Sequence, residues 1–186
     1  RQTAAACVIL GIKCTIVLEQ RLNDAPEAYM NSGNVFLDKL FGAELIVCPK
    51  NRDVKEYAEE IIEIKKNNGE IPYYIPVGGS NEIGELGYIE CIREIIEDHK
   101  TNVFTHIVLA TGSGGTHSGS VVGKIYYKSD IEIIGISVKD NKIDQEEKVY
   151  NLAKKACKYI GCDNPTREDV VVFDNYVGGG YGVPTN

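Results

Sequence analysis

Three glycines and three hydroxyl side chains share six consecutive residues, Thr111-Gly112-Ser113-Gly114-Gly115-Thr116. Glycine lets a backbone turn sharply and approach a ligand with no Cβ in the way. At the start of a helix the first N–H groups have no partner within the helix, and with hydroxyls beside them they form an anion site. A phosphate is the guest this pattern suits. One glycine would suffice for a tight strand–helix turn without a ligand, so three with three hydroxyls favour the anion. The kind of phosphate is narrowed by what is missing. A nucleotide-binding loop of the Gly-x-x-x-x-Gly-Lys-Ser/Thr type needs a lysine where this chain has His117 and Ser118. A dinucleotide loop, Gly-x-Gly-x-x-Gly, matches at Gly112 and Gly114 but meets His117 at its last place. Asp140, after the next strand, could hold a ribose, so a nucleotide reading is weakened and stays open.

The elements around the loop must be a strand and a helix. Ile107-Val108-Leu109-Ala110 is the unbroken apolar run of a central strand buried on both faces of a parallel sheet. Val121, Val122, Ile125 and Tyr126 recur at helical spacing. The strand is expected to end at Ala110 and the helix to begin at Thr116, with the N–H groups of residues 112–116 converging on one point. Elsewhere the pattern predicts helices over residues 1–10, 35–40, 54–66, 84–99 and 145–160, with Gly11 and Gly161 as stops. It predicts strands over residues 14–18, 44–48, 73–77, 131–138 and 170–173. Residues 23–34 are polar and read as loop or helix start. Helix and strand alternating through short connections give an α/β fold, three-layer αβα with parallel sheets. Gly78-Gly79-Ser80 changes the composition abruptly and is the expected boundary between a domain of residues 1–77 and one of residues 78–186. Ser80 is expected to cap the helix that follows it.

With 43% hydrophobic and 25% charged residues among 186, the chain can bury a core. Its net charge of -7 and lack of a basic tract argue against nucleic acid and anionic membrane as partners. No apolar run reaches membrane-spanning length, and no signal peptide is visible. Six scattered cysteines, none in a Cys-x-x-Cys pair, read as reduced cytoplasmic thiols and not as a zinc site. Cys7, Cys14, Cys48 and Cys91 sit in apolar patterns and are expected to be buried. His117, at a helix start, is expected to be exposed.

The run from Ala110 to Gly119 resembles the phosphate-binding loop of the pyridoxal-phosphate (PLP) enzymes related to tryptophan synthase β, the fold type II group. Within that group it is most similar to D-cysteine desulfhydrase and 1-aminocyclopropane-1-carboxylate (ACC) deaminase. Three further segments agree, in the family's order and across the whole chain. Arg1-Gln2-Thr3-Ala4-Ala5-Ala6 resembles the helix after the family's Ser-Asn-His substrate motif. Ile75-Pro76-Val77-Gly78-Gly79-Ser80-Asn81, with Gly84 and Leu86-Gly87-Tyr88, resembles the start of the large domain. Gly180-Tyr181-Gly182-Val183-Pro184 resembles the active-site tyrosine segment.

The resemblance implies parts of a small α/β domain and of a large PLP-binding α/β domain, and a homodimer in the full-length enzyme. It implies that Thr111, Gly112, Ser113, Gly114, Gly115 and Thr116 bind the cofactor phosphate and that Tyr181 faces a small amino-acid substrate as a catalytic residue. The implied activity is α,β-elimination, best on D-cysteine, giving pyruvate, ammonia and hydrogen sulfide. ACC deamination is the alternative, and a non-catalytic fragment that binds PLP or phosphate weakly is a third. The glycine-rich loop favours the desulfhydrase. The family's Schiff-base lysine stands in a Gly-Asn-Lys context that this chain lacks; Lys13, Lys50 and Lys124 are poorly placed to replace it. The chain is therefore expected to be an internal piece of a longer protein.

Overall fold

The computed structural model describes residues 1–19, 27–98, 104–181 and 183. They fall into two units, Arg1–Tyr74 and Ile75–Asn186. In the first, helix α1 (Gln2–Leu10) ends at Gly11, whose φ of 64° is left-handed, with the N–H of Ile12 closing back on Cys7 O at 2.9 Å. Strand β1 (Thr15–Glu19) lies parallel to β2 (Glu44–Cys48), in register from Thr15 opposite Glu44 to Glu19 opposite Cys48. Helix α2 (Gly33–Leu40) packs on β2, and α3 (Val54–Asn67) packs on β1. Asp53 caps α3, its carboxylate accepting the N–H groups of Lys55 at 2.9 Å and Glu56 at 3.0 Å.

The second unit carries the loop. Helix α4 (Leu86–Asp98) precedes strand β3 (His106–Thr111), which leads through the loop into α5 (Gly115–Tyr126). Strand β4 (Glu132–Ser137), α6 (Lys142–Ile160) and the short β5 (Val171–Phe173) follow. The three strands are parallel in the order β3-β4-β5. Ile89 and Ile92 of α4, Val121 and Val122 of α5, and Val149 and Ala153 of α6 form one buried core with Ile133 and Val172 of the sheet. Both units are α/β with parallel sheets, the class the alternating pattern implies.

Helix α5 is the buried element of this unit, with seven consecutive buried residues from His117 to Gly123. Its glycines at positions 115, 119 and 123 share one side, four residues apart. A Cβ on Gly115 would stand 2.7 Å from Ser80 Oγ, one on Gly119 would stand 2.9 Å from Glu85 O, and one on Gly123 would stand 2.8 Å from Ile92 Cβ. The chain from Ser80 to Ile92 therefore lies against bare backbone.

Three expectations differ. Residues 73–77 form no strand: Ile71 is fully exposed and Tyr73 is 68% exposed, and no neighbouring strand among the described residues offers them hydrogen bonds. Strand β3 stands at the edge of the three strands and not at their centre, with Val108 63% exposed, so the apolar run is not buried on both faces among the described residues. Cys48 and Cys157 are the buried thiols, while Cys7, Cys14 and Cys91 are only half-buried; all six are free. Residues 23–26 lie outside the described residues, and the rest of that polar stretch is a 3-10 turn (Glu27–Met30) running into α2.

The close contact between α4 and α5 makes a measurable demand. In Gly119→Ala the better helix propensity of alanine, about 1 kcal/mol, is outweighed by overpacking of about 1–3 kcal/mol. A net loss of about 1 kcal/mol is expected, read as a lower urea midpoint at unchanged slope. A raised midpoint would mean that the two helices part without cost.

Candidate anion-binding site

Strand β3 ends at Thr111 and α5 starts at Gly115, each one residue from the expected border. Gly114, with φ 94°, makes the turn between them, a conformation that disfavours any side chain. Among the described residues only the Gly115 amide of the loop has an acceptor, Ser80 Oγ at 3.1 Å. The N–H groups of Gly112, Ser113, Gly114 and Thr116 meet none among the described residues, nor does that of His117. These are free donors at the positive end of a twelve-residue helix, the condition for holding an anion. Ser80 thus caps α5 across the fold and not the helix that follows it; in the turn ahead of α4, Asn81 Oδ1 takes the N–H of Gly84 at 2.8 Å. The Ser113 side chain lies over Gly78, where a Cβ would come within 2.2 Å of its Oγ.

Helix α6 supports the loop from behind through residues the sequence did not single out. Gln145, fully buried, donates Nε2 to Thr111 Oγ1 at 2.7 Å. Lys148 Nζ donates to Gly112 O at 3.1 Å and to Gln145 Oε1 at 3.0 Å, and pairs with the Asp140 carboxylate. Asp140, a candidate for a ribose, is engaged by this ammonium. Their signal in the sequence was faint: two polar residues three apart, with Val149 and Leu152 beyond them, on the face of α6 that would otherwise be apolar.

His117 is fully buried, against the expectation of exposure. Its ring fills the space left by Gly135 in β4, where a Cβ would stand 2.5 Å from its Nδ1. Neither ring nitrogen has a partner among the described residues, and burial pushes its pKa down to about 4. It is neutral at pH 7 and lends the loop no charge. Glu85 is fully buried just ahead of α4, beside Gly119 and Ser118. Burial pushes its carboxyl up to about 7, moderated by the nearby Ser118 hydroxyl. That hydroxyl donates to Gly115 O at 3.2 Å, and the Glu85 oxygens hold no hydrogen bond among the described residues.

Tyr181 lies in another segment, in a turn closed by the N–H of Val183 on Gly180 O at 3.1 Å, and is 56% exposed. Gly182 and Pro184 lie outside the described residues. Among the described residues no cluster of His, Cys, Asp and Glu could hold a metal ion, and no helix is long and apolar enough to cross a membrane.

The family model for the pyridoxal-phosphate dependent enzymes matches residues 1–186. Among solved structures, an ACC deaminase homologue is 34% identical over 97% of this chain and 53% of its own, with a TM-score of 0.81. A pyridoxal 5'-phosphate-dependent aspartate racemase is 20% identical over 92% of this chain and 53% of its own, TM-score 0.58. A hydrogen sulfide-producing enzyme from Fusobacterium nucleatum is 24% identical over 72% of this chain and 42% of its own, TM-score 0.52. The last two likenesses are of fold alone. The chain spans about half the length of the ACC deaminase homologue it matches.

His117 and Glu85, both buried, pull stability in opposite directions with pH. His117, depressed from 6.5 to about 4, contributes fully above pH 6.5, and this is lost as pH falls toward 4. Glu85, raised from 4.5 to about 7, is harmless below pH 4.5 and lowers stability as pH rises toward 7. Each slope is about 1.4 kcal/mol per pH unit, so they offset between about pH 4.5 and 6.5. Glu85→Gln is expected to leave stability climbing with pH across that window, and His117→Leu to leave it falling. Urea midpoints at several pH values test this; parallel curves for all three proteins would show that neither group titrates there.

Proposed function

Because this chain belongs to the pyridoxal-phosphate dependent enzymes, we propose that residues 111–116 hold the phosphate of that cofactor, in a lyase that performs α,β-elimination on a small D-amino acid. The observation that carries the reading is the set of unpaired N–H groups where β3 turns into α5, with the loop braced from behind by Gln145 and Lys148. A phosphate fits these residues: the donors are backbone amides and hydroxyls, and the nearby Asp140 carboxylate is neutralised by Lys148. Pyridoxal phosphate bound there supplies an electron sink for the substrate's α-carbon. The chain's own part is to bind and orient. The amides of Ser113, Gly114 and Thr116 grip phosphate oxygens, the Ser113 and Thr116 hydroxyls add donors, and neutral His117 keeps the space behind them dry. Tyr181 faces the substrate and holds or passes a proton at its sulfur. On this reading residues 1–77 belong to a small domain and residues 78–186 to the cofactor-binding domain of a cytoplasmic homodimer.

D-cysteine is the substrate favoured by the loop's composition, with pyruvate, ammonia and hydrogen sulfide as products. ACC deamination is the second reading, favoured by the 34% identity to an ACC deaminase homologue. The longest natural protein containing this sequence separates them. Sulfide and pyruvate from D-cysteine, with no 2-oxobutanoate from ACC, are expected; the reverse gives the site to ACC. Turnover of neither, with cofactor bound, would leave a phosphate-binding scaffold. In the same protein Tyr181→Phe removes only a hydroxyl. Cofactor absorbance is expected to persist while D-cysteine turnover falls roughly a hundredfold, the scale of one positioned proton-transfer group. Unchanged turnover would reduce Tyr181 to loop packing.

A further inference from the structure

Gly112 is where β3 gives way to the loop, and its carbonyl oxygen is held by Lys148 Nζ at 3.1 Å. The peptide it shares with Ser113 is planar and trans, so the C=O of Gly112 and the N–H of Ser113 point in opposite directions. Holding the oxygen against α6 therefore turns the Ser113 N–H to the opposite side of the loop. The ammonium is itself fixed. An ammonium has three hydrogens, and Gly112 O, Gln145 Oε1 and the Asp140 carboxylate are three acceptors for them. The lysine stem runs beside the turn, its Cδ 3.7 Å from where a Cβ of Gly114 would stand. Gln145 binds Thr111 Oγ1 with its other end, so one network clamps the last strand residue and the first loop peptide together.

We infer that Lys148 is a positioning residue of the phosphate site: it sets the Gly112–Ser113 peptide so that the Ser113 N–H donates to the phosphate. It does not touch the phosphate, because its hydrogens are already engaged. A cation on the carbonyl also polarises the peptide and makes that N–H a stronger donor. Asp140 and Gln145 act one step further back by holding the ammonium. The inference rests on the proposed phosphate role of residues 111–116.

The test is phosphate titration of the 15N-labelled chain, following the amide signals of Ser113, Gly114 and Thr116. In the unaltered chain all three are expected to move with added inorganic phosphate and not with chloride at equal ionic strength. In Lys148→Met, which keeps the stem, the Ser113 response should vanish and phosphate affinity fall roughly tenfold, the scale of one charge-assisted hydrogen bond, while Gly114 and Thr116 still respond. Lys154→Met removes the same charge from an exposed position on α6 and should leave the Ser113 response intact. A Ser113 signal that still responds in Lys148→Met, at unchanged affinity, overturns the positioning role while leaving the site. Equal loss of the Ser113 response in Lys154→Met overturns it too, in favour of a general field. Loop amides of the unaltered chain that ignore phosphate overturn the site and the inference with it. Should Lys148→Met fail to fold, Asp140→Asn loosens the ammonium without removing it. It must weaken the Ser113 response in the same sense, and an unchanged response there counts against the inference.

Discussion

The close approach of backbone to α5 is the constraint on which the second unit depends. A helix buried on nearly all sides normally keeps its neighbours 8–10 Å away, axis to axis, through its side chains. Here the glycine stripe removes that spacing on one side and lets the chain from Ser80 to Ile92 press in. Two consequences reach the loop. Ser80 comes near enough to take the Gly115 N–H, and Gly78 passes under the Ser113 side chain. The contact that packs the core also closes one wall of the proposed anion site.

Burial on that scale leaves two polar side chains in the interior without hydrogen bonds among the described residues. Each unmade bond costs about 1–3 kcal/mol. A charge in either place would cost more, so burial drives both groups toward their neutral forms. Neutrality of His117 matters most, because it stands in the first turn of α5. The positive potential at the loop comes instead from the helix terminus and its amides that lack acceptors among the described residues. The ammonium behind the loop is paired with the Asp140 carboxylate and adds no net charge to a chain whose net charge is -7. The positive potential of the helix start is local and runs against the overall negative charge.

Much of the fold was legible in the sequence. Local rules determined the strand–glycine loop–helix unit to within a residue at each border, the stops at Gly11 and Gly161, and the parallel α/β class. Those signals lie in neighbouring residues: apolar periodicity, left-handed glycines and free helix-start amides act over a few positions of chain. The glycine-rich loop could be singled out as a candidate anion site for the same reason.

What only the tertiary structure decided involves partners distant in sequence. The Thr111–Gln145, Gly112–Lys148 and Gly115–Ser80 contacts each span about 35 residues, and no local pattern specifies them. The apolar stretch at residues 73–77 shows the same limit: strand propensity produces a strand only where a neighbour supplies hydrogen bonds. His117 read as exposed because histidine at a helix start usually is. Gly135, eighteen residues on in the middle of β4, opens the space that buries it. Sequence periodicity tells which face of a helix is apolar, but packing decides which polar group is enclosed there, and with it that group's charge.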